Sequence, residues 1–171
     1  MPKKALDVAT AAIRLGRALA DCGQPQRVFQ EMDNVVGETL GHELFTILAW
    51  RSDSGEVERL HTSRPAEYPL LGRKKMGPTP WGDLVLRGGK SWFGRSAKDI
   101  IWAFPDHELI LSLGCESCLN VPVRYDGQVL GVVSVLDAAG RYEDADLAAL
   151  EPLAQFLVPA FLMDARSAAA N

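Results

Sequence analysis

Paired cysteines, long apolar runs and a surplus of positive charge are all missing from this 171-residue sequence. Each absence removes a class of function. Three cysteines cannot all pair within one chain, so a disulfide scaffold is excluded, and the thiols suit a reducing, cytoplasmic setting. No apolar run approaches the roughly 20 residues of a membrane span, and the first residues lack the apolar core of a signal peptide, so no membrane partner is expected. A net charge of −4 gives no general attraction to nucleic acid. The basic cluster Arg73-Lys74-Lys75 reads as a solvated loop. No glycine-rich phosphate loop opens a helix, and spacing proposes no Ser-His-Asp set. No second C-x-x-C or histidine pair completes a zinc site with Cys115 and Cys118. Neither catalytic residues nor a metal site are therefore expected, and no cofactor is specified.

What is present centres on residues 115–137, CESCLNVPVRYDGQVLGVVSVLD. Two runs rich in Val and Leu flank Asp126-Gly127, a pair that tolerates positive φ and lets the chain reverse. Two registers are open. A two-residue loop sets Leu119, Val121 and Val123 beside Leu130, Val132 and Ser134, mixing polarity on each face. A three-residue loop with Gly127 as a bulge sets them beside Val129, Gly131, Val133 and Val135, making one face uniformly apolar. The second register is preferred because it segregates polarity. It collects Cys118, Asn120 and Arg124 with Gln128, Leu130, Val132 and Ser134 on a face suited to ligand or water. Gly131 would then let a helix approach the sheet.

Elsewhere, helix formers predict helices over 5–21 and from about 25 to 40, with Pro25 tolerated in the first turn of the second. Strands are expected at 44–50 and 56–61, joined across Asp53-Ser54-Gly55. Prolines and glycines interrupt 62–114 repeatedly. Short pieces are read there: a helical turn or two at 82–86, a strand near 91–93, a turn at 98–102 and a helix at 106–113. Such a broken crossing over a rigid sheet is where binding sites are commonly built. A last helix, from about 144 to 165, carries Leu147, Leu150, Leu153, Leu157 and Phe161 as its stripe, with bends or a break at Pro152 and Pro159. Ala168-Ala169-Ala170 reads as a frayed end.

The ordered set Gly114, SCLNVPV at 117–123, the Asp-Gly turn, VLGVVSVLD at 129–137 and RYEDADLAALEPLA resembles a GAF domain. The resemblance implies an α+β, GAF/PAS-like antiparallel sheet with N- and C-terminal helices on one face and a ligand pocket on the other. It divides the chain into N-terminal helices (1–40, a candidate dimer interface), the GAF domain (41–165) and a tail (166–171). Stand-alone GAF proteins of this size include the free methionine sulfoxide reductases, but the sequence departs from their pattern. Ile110 follows His107-Glu108-Leu109 where that family has a cysteine, Trp81 stands where it has another, and Cys118, Ser134 and Leu136 replace its acidic substrate contacts. The bilin-attachment and cyclic-nucleotide patterns of other GAF domains are also missing.

Candidate ligand residues are Trp81, Trp102, Phe104 and His107 from the broken crossing, with Cys118, Asn120 and Ser134 from the hairpin. Aromatic walls with few polar groups point to a small, partly aromatic or amphipathic ligand. Cys115 and Cys118 run into a strand rather than opening a helix, which disfavours a low thiol pKa. Three functions stay open: a sensory module acting on a separate effector protein or as a homodimer, a thiol-dependent enzyme, and a structural dimerisation module.

Overall fold

The computed structural model describes residues 5–170. Residues 1–4 of the expected N-terminal unit and Asn171 of the expected tail lie outside the described residues. Two helices come first, α1 (Val8–Ala20) and α2 (Gln26–Thr39). Asp7 caps α1 by accepting from the backbone N–H groups of Ala9 and Thr10. Leu15 of α1 and Val28, Phe29, Met32, Val35 and Val36 of α2 are buried, as their helical spacing requires. Pro25 sits just outside α2 as its cap residue.

The sheet follows: β1 (Leu44–Arg51), β2 (Glu56–Thr62), β3 (Arg73–Lys75), β4 (Trp92–Gly94), β5 (Ser117–Tyr125) and β6 (Gln128–Asp137). Its order is β3-β2-β1-β6-β5-β4, with every neighbouring pair antiparallel. Between β3 and β5 the chain forms α3 (Pro80–Gly82), running directly into a π-helical turn (Asp83–Arg87), then α4 (Ala97–Ala103) and α5 (His107–Ser112). After the sheet come α6 (Asp144–Ala154), a 3-10 turn (Gln155–Leu157) and α7 (Val158–Ala169).

Alternation along the central strands sorts the two faces. Phe45, Ile47 and Ala49 of β1 join Leu119, Val121 and Val123 of β5, and Val133 and Val135 of β6, in one core with α1, α2, α6 and α7. Leu44 and Leu136 face the opposite side with Ile110, Cys115 and Cys118, while Val132 packs there with Trp81, Val85 and Leu86.

Gly131 shows why the helical layer sits so close. A Cβ at this position would stand 2.4 Å from the Phe161 ring and 2.2 Å from the Leu48 carbonyl oxygen. Only glycine lets α7 lay Phe161 against β6.

The hairpin reaches the expected segregation by a different device. Asp126 and Gly127, at φ of 49° and 72°, form a two-residue loop closed by the Tyr125–Gln128 pair. The register then shifts between Val123 and Arg124: Arg124 faces Val129 but Val123 faces Gly131. The extra residue is therefore Leu130, not Gly127. Three side chains change sides relative to the preferred register: Gln128 pairs with Tyr125 and so leaves the face of Arg124. Leu130 packs against the helix-side core, and Val129 lies beside Arg124, both side chains meeting the space above Gly89.

The basic cluster is also corrected. Arg73-Lys74-Lys75 is solvated but is a strand, β3, at the edge of the sheet. Arg73 lies opposite Glu58 and Lys75 opposite Glu56, so charge complementarity across the pair supports an otherwise weak strand. An edge of fully charged residues also discourages pairing with other chains.

The last helix breaks once, at Gln155–Leu157, and Pro159 falls in the first turn of α7, where a missing N–H costs nothing. Pro152 stays inside α6. The break points Gln155 at β5, where it accepts from the Arg124 N–H at 2.9 Å and donates to the Pro122 carbonyl at 3.1 Å. α7 continues through Ala169, so the alanine run expected to fray is helical up to that residue. Contrary to expectation, residues 144–169 are long and apolar enough to cross a membrane by length and composition. Leu150, Leu153, Leu157 and Phe161 are nevertheless spent on the core against the sheet.

Candidate functional site

A cavity of about 220 Å³ lies on the sheet face away from α1, α2, α6 and α7. Its floor is made by alternate residues of adjacent strands: Leu44, Thr46 and Leu48 of β1, with Ser134 and Leu136 of β6. Val57 and Arg59 extend it along β2. Trp81, Ala103, Phe104 and Ile110, from the short helices of the crossing, form the walls, and Tyr68, Lys74, Met76 and Asp106 lie around the rest of it.

Of the residues expected to contact a ligand, Trp81, Phe104 and Ser134 line this cavity together. Trp81 and Phe104 are adjacent, with ring centroids 5.4 Å apart. Asn120 is fully buried behind them. Its Oδ1 accepts from Trp81 Nε1 at 2.9 Å and its Nδ2 donates to Ser134 Oγ at 2.7 Å. Asn120 therefore fastens the wall to the floor and does not itself line the cavity. Trp102 lies off the cavity, half exposed, at the outer end of an aromatic chain running from Trp81 through Phe104 and Trp92. His107 is also off the lining. Its Nδ1 lies 3.0 Å from the Phe104 carbonyl oxygen, which ties the start of α5 to the preceding turn.

Cys118 is fully buried in β5, beneath Leu136 and Ile110, and does not line the cavity. Burial pushes its thiol pKa up. Cys115 is likewise buried; burial, helped by the negative charges of Asp137 and Glu43, pushes its thiol up to about 12. Both groups are held as thiols at neutral pH, and a thiol is a poor nucleophile and metal ligand.

Sequence reasoning overlooked the polar half of the cavity. Arg59 lies with its guanidinium 4.8 Å from the Tyr68 ring centroid and donates through Nη1 to the Pro69 carbonyl at 3.2 Å. Tyr68 donates its hydroxyl to Asp106 Oδ2 at 3.0 Å. Burial, with the nearby Asp106 charge, drives the Tyr68 pKa upward, so the phenol stays a donor. Thr46 was within reach of sequence pattern, since period-two alternation places it on the face of Leu44 and Leu48. Arg59, Tyr68 and Asp106 carry no local signal, because only the folded crossing brings them together.

A second polar cluster sits on the helix side. Asp33 of α2 is buried and accepts from His61 Nε2 at 2.7 Å, with His42 Nε2 also 2.7 Å away but poorly angled for a hydrogen bond. Burial alone would raise the Asp33 pKa; the contacts with His42 and His61 outweigh it and lower the pKa to about 2. This cluster fastens α2 to the sheet.

The sheet order, the helices on one face and the cavity on the other can be set beside known proteins. The sequence model of the GAF domain matches residues 24–161. This chain belongs to the GAF domain family. Among solved structures, the GAF domain of a phosphoenolpyruvate-protein phosphotransferase from Coxiella burnetii superposes with a TM-score of 0.73 at 16% identity, covering 96% of this chain and 97% of that one. The corresponding domain from Acinetobacter gives 0.72 at 17% identity, covering 91% and 92%. Free methionine-R-sulfoxide reductase from Neisseria meningitidis, solved with its substrate, gives 0.69 at 19% identity and covers 98% of both chains. At these identities the likeness shows the GAF fold alone. No curated relative matches the sequence. The GAF fold occurs in sensory and regulatory proteins, among them a two-component sensor histidine kinase from Bacillus halodurans.

Proposed function

We propose that this GAF domain is a sensory or regulatory module that binds a small molecule in the cavity between β1, β6 and the crossing of residues 62–114. The observation that carries this reading is the two-sidedness of β1 and β6. Thr46 and Ser134 face the cavity, while Phe45, Val133 and Val135 face the helical core, so occupancy on one face acts on strands that support α2 and α7 on the other. The output would be a changed arrangement of terminal helices, read by a second copy of the chain or a separate effector protein in the cytoplasm, a setting that three unpaired thiols suit. Residues 1–40 would then serve as the dimerising part and 41–165 as the ligand-binding part. The buried, high-pKa cysteines weigh against a thiol-dependent enzyme.

Native mass spectrometry of the protein purified from its source tests the reading, because it reports retained ligand and subunit number together. The wild type should carry a non-covalent mass that Met76→Trp, which fills the cavity from its rim, does not. Equal masses for the two proteins after subtraction of the substitution would refute it.

A further inference from the structure

Resting on that reading, one feature of the cavity identifies the chemistry of its occupant. Arg59 Nε is buried and has no hydrogen-bond partner. Among the described residues no carboxylate lies within ion-pair distance of this guanidinium. Its other contacts, the Tyr68 face and the Pro69 carbonyl, hold it flat without neutralising it. The remaining charges nearby are already engaged. Arg73 pairs with Glu58 at 3.2 Å, and Asp106 takes the Tyr68 hydroxyl and lies 4.0 Å from Lys74 Nζ. Burial opposes the Arg59 charge, but arginine stays protonated in proteins. A guanidinium that lines a cavity without a carboxylate partner is best matched by the carboxylate oxygens of a ligand.

We propose that the cavity takes a small organic carboxylate, its anionic oxygen on the Arg59 guanidinium with Lys74 nearby, and an apolar or aromatic body against Trp81, Phe104 and Leu136. The mostly apolar lining favours a carboxylate, with a single charge to desolvate, over a doubly charged phosphate. The volume holds roughly seven waters, which suits a compact acid the size of an amino acid or an aromatic acid.

Calorimetric titration of phenylacetate, indole-3-acetate and 4-methylvalerate, each against its neutral primary amide, tests the proposal. At least one acid should bind the wild type more than tenfold tighter than its amide. Arg59→Met should abolish that discrimination by weakening the acid far more than the amide, and circular dichroism should show the variant folded. Met76→Trp should block acid and amide alike. Acid and amide binding equally to the wild type would remove the carboxylate and leave the ligand cavity standing. Failure of every pair to bind would remove both.

Discussion

Replacing Asn120 with Leu tests whether the cavity wall is held by the hydrogen bonds that the fold presents. The side chain is fully buried and bridges Trp81 Nε1, at 2.9 Å, to Ser134 Oγ, at 2.7 Å. Leucine nearly preserves the volume but leaves the indole N–H of a tryptophan only 2% exposed without an acceptor. An unmet buried donor costs about 1–3 kcal/mol, and Ser134, being able to turn its hydroxyl, adds little. A loss near 2 kcal/mol should lower Tm by about 4–8 °C in a chain of this size. Urea unfolding followed by far-ultraviolet circular dichroism measures the loss, and a cycle with Trp81→Phe separates the bond from packing. Because either single change already breaks the bond, the double variant should cost about 1–2 kcal/mol less than the sum. Any ligand found to bind should also bind Asn120→Leu more weakly, since its indole wall is no longer fixed. A cost below about 0.5 kcal/mol, or additive singles, would refute the idea that this asparagine fastens wall to floor.

Gly131→Ala should destabilise by about 2–3 kcal/mol or more, because its Cβ meets the Phe161 ring at 2.4 Å and the Leu48 carbonyl oxygen at 2.2 Å. Shrinking the ring with Phe161→Leu should recover only part of the loss, as the carbonyl clash remains; a neutral Gly131→Ala in urea unfolding would contradict the packing described. Asp33 should make stability fall in acid. Its folded pKa of about 2 lies below the ordinary aspartate value of 3.8, so its contribution of about 2 kcal/mol is present above about pH 4 and lost as pH falls toward about 2. The stability difference between wild type and Asp33→Asn, read from urea midpoints at about pH 5 and about pH 2.5, should therefore shrink in acid; a constant difference would show that the carboxylate is not held ionised by its histidines.

Much of the architecture could be read from local pattern. The alternation of Phe45, Ile47 and Ala49 against Leu44, Thr46 and Leu48, and the helical spacing of Val28, Met32 and Val35, each encode a face within a few residues. Gly131 and the Asp126-Gly127 turn carry their backbone requirement in their identity. The site of the bulge did not show, because displacing Leu130 instead of using Gly127 gives the same segregation of Leu119, Val121 and Val123, and only pairing geometry distinguishes the two. β3 escaped because its three residues lack β-branched or aromatic character; its signal was complementarity with Glu56 and Glu58, 15 to 19 positions upstream, which no local reading captures.

The candidate site divides along the same line. Its apolar half was legible because large aromatic side chains in a proline- and glycine-broken segment must anchor short helices somewhere, and Trp81 and Phe104 do so over the sheet. Its polar half was not, because Arg59, Tyr68 and Asp106 meet only after β2, the loop before β3 and the start of α5 converge. Asn120 shows the limit most clearly. Its place on β5 was legible, yet a polar residue on a ligand-side face can offer its groups to the ligand or to the wall, and sequence does not separate the two. The Trp81 N–H and Ser134 hydroxyl take both ends of the amide, which leaves Arg59 as the polar group still unmet. The proposed recognition of a carboxylate therefore places the deciding contact on the strand β2 arginine rather than on the hairpin.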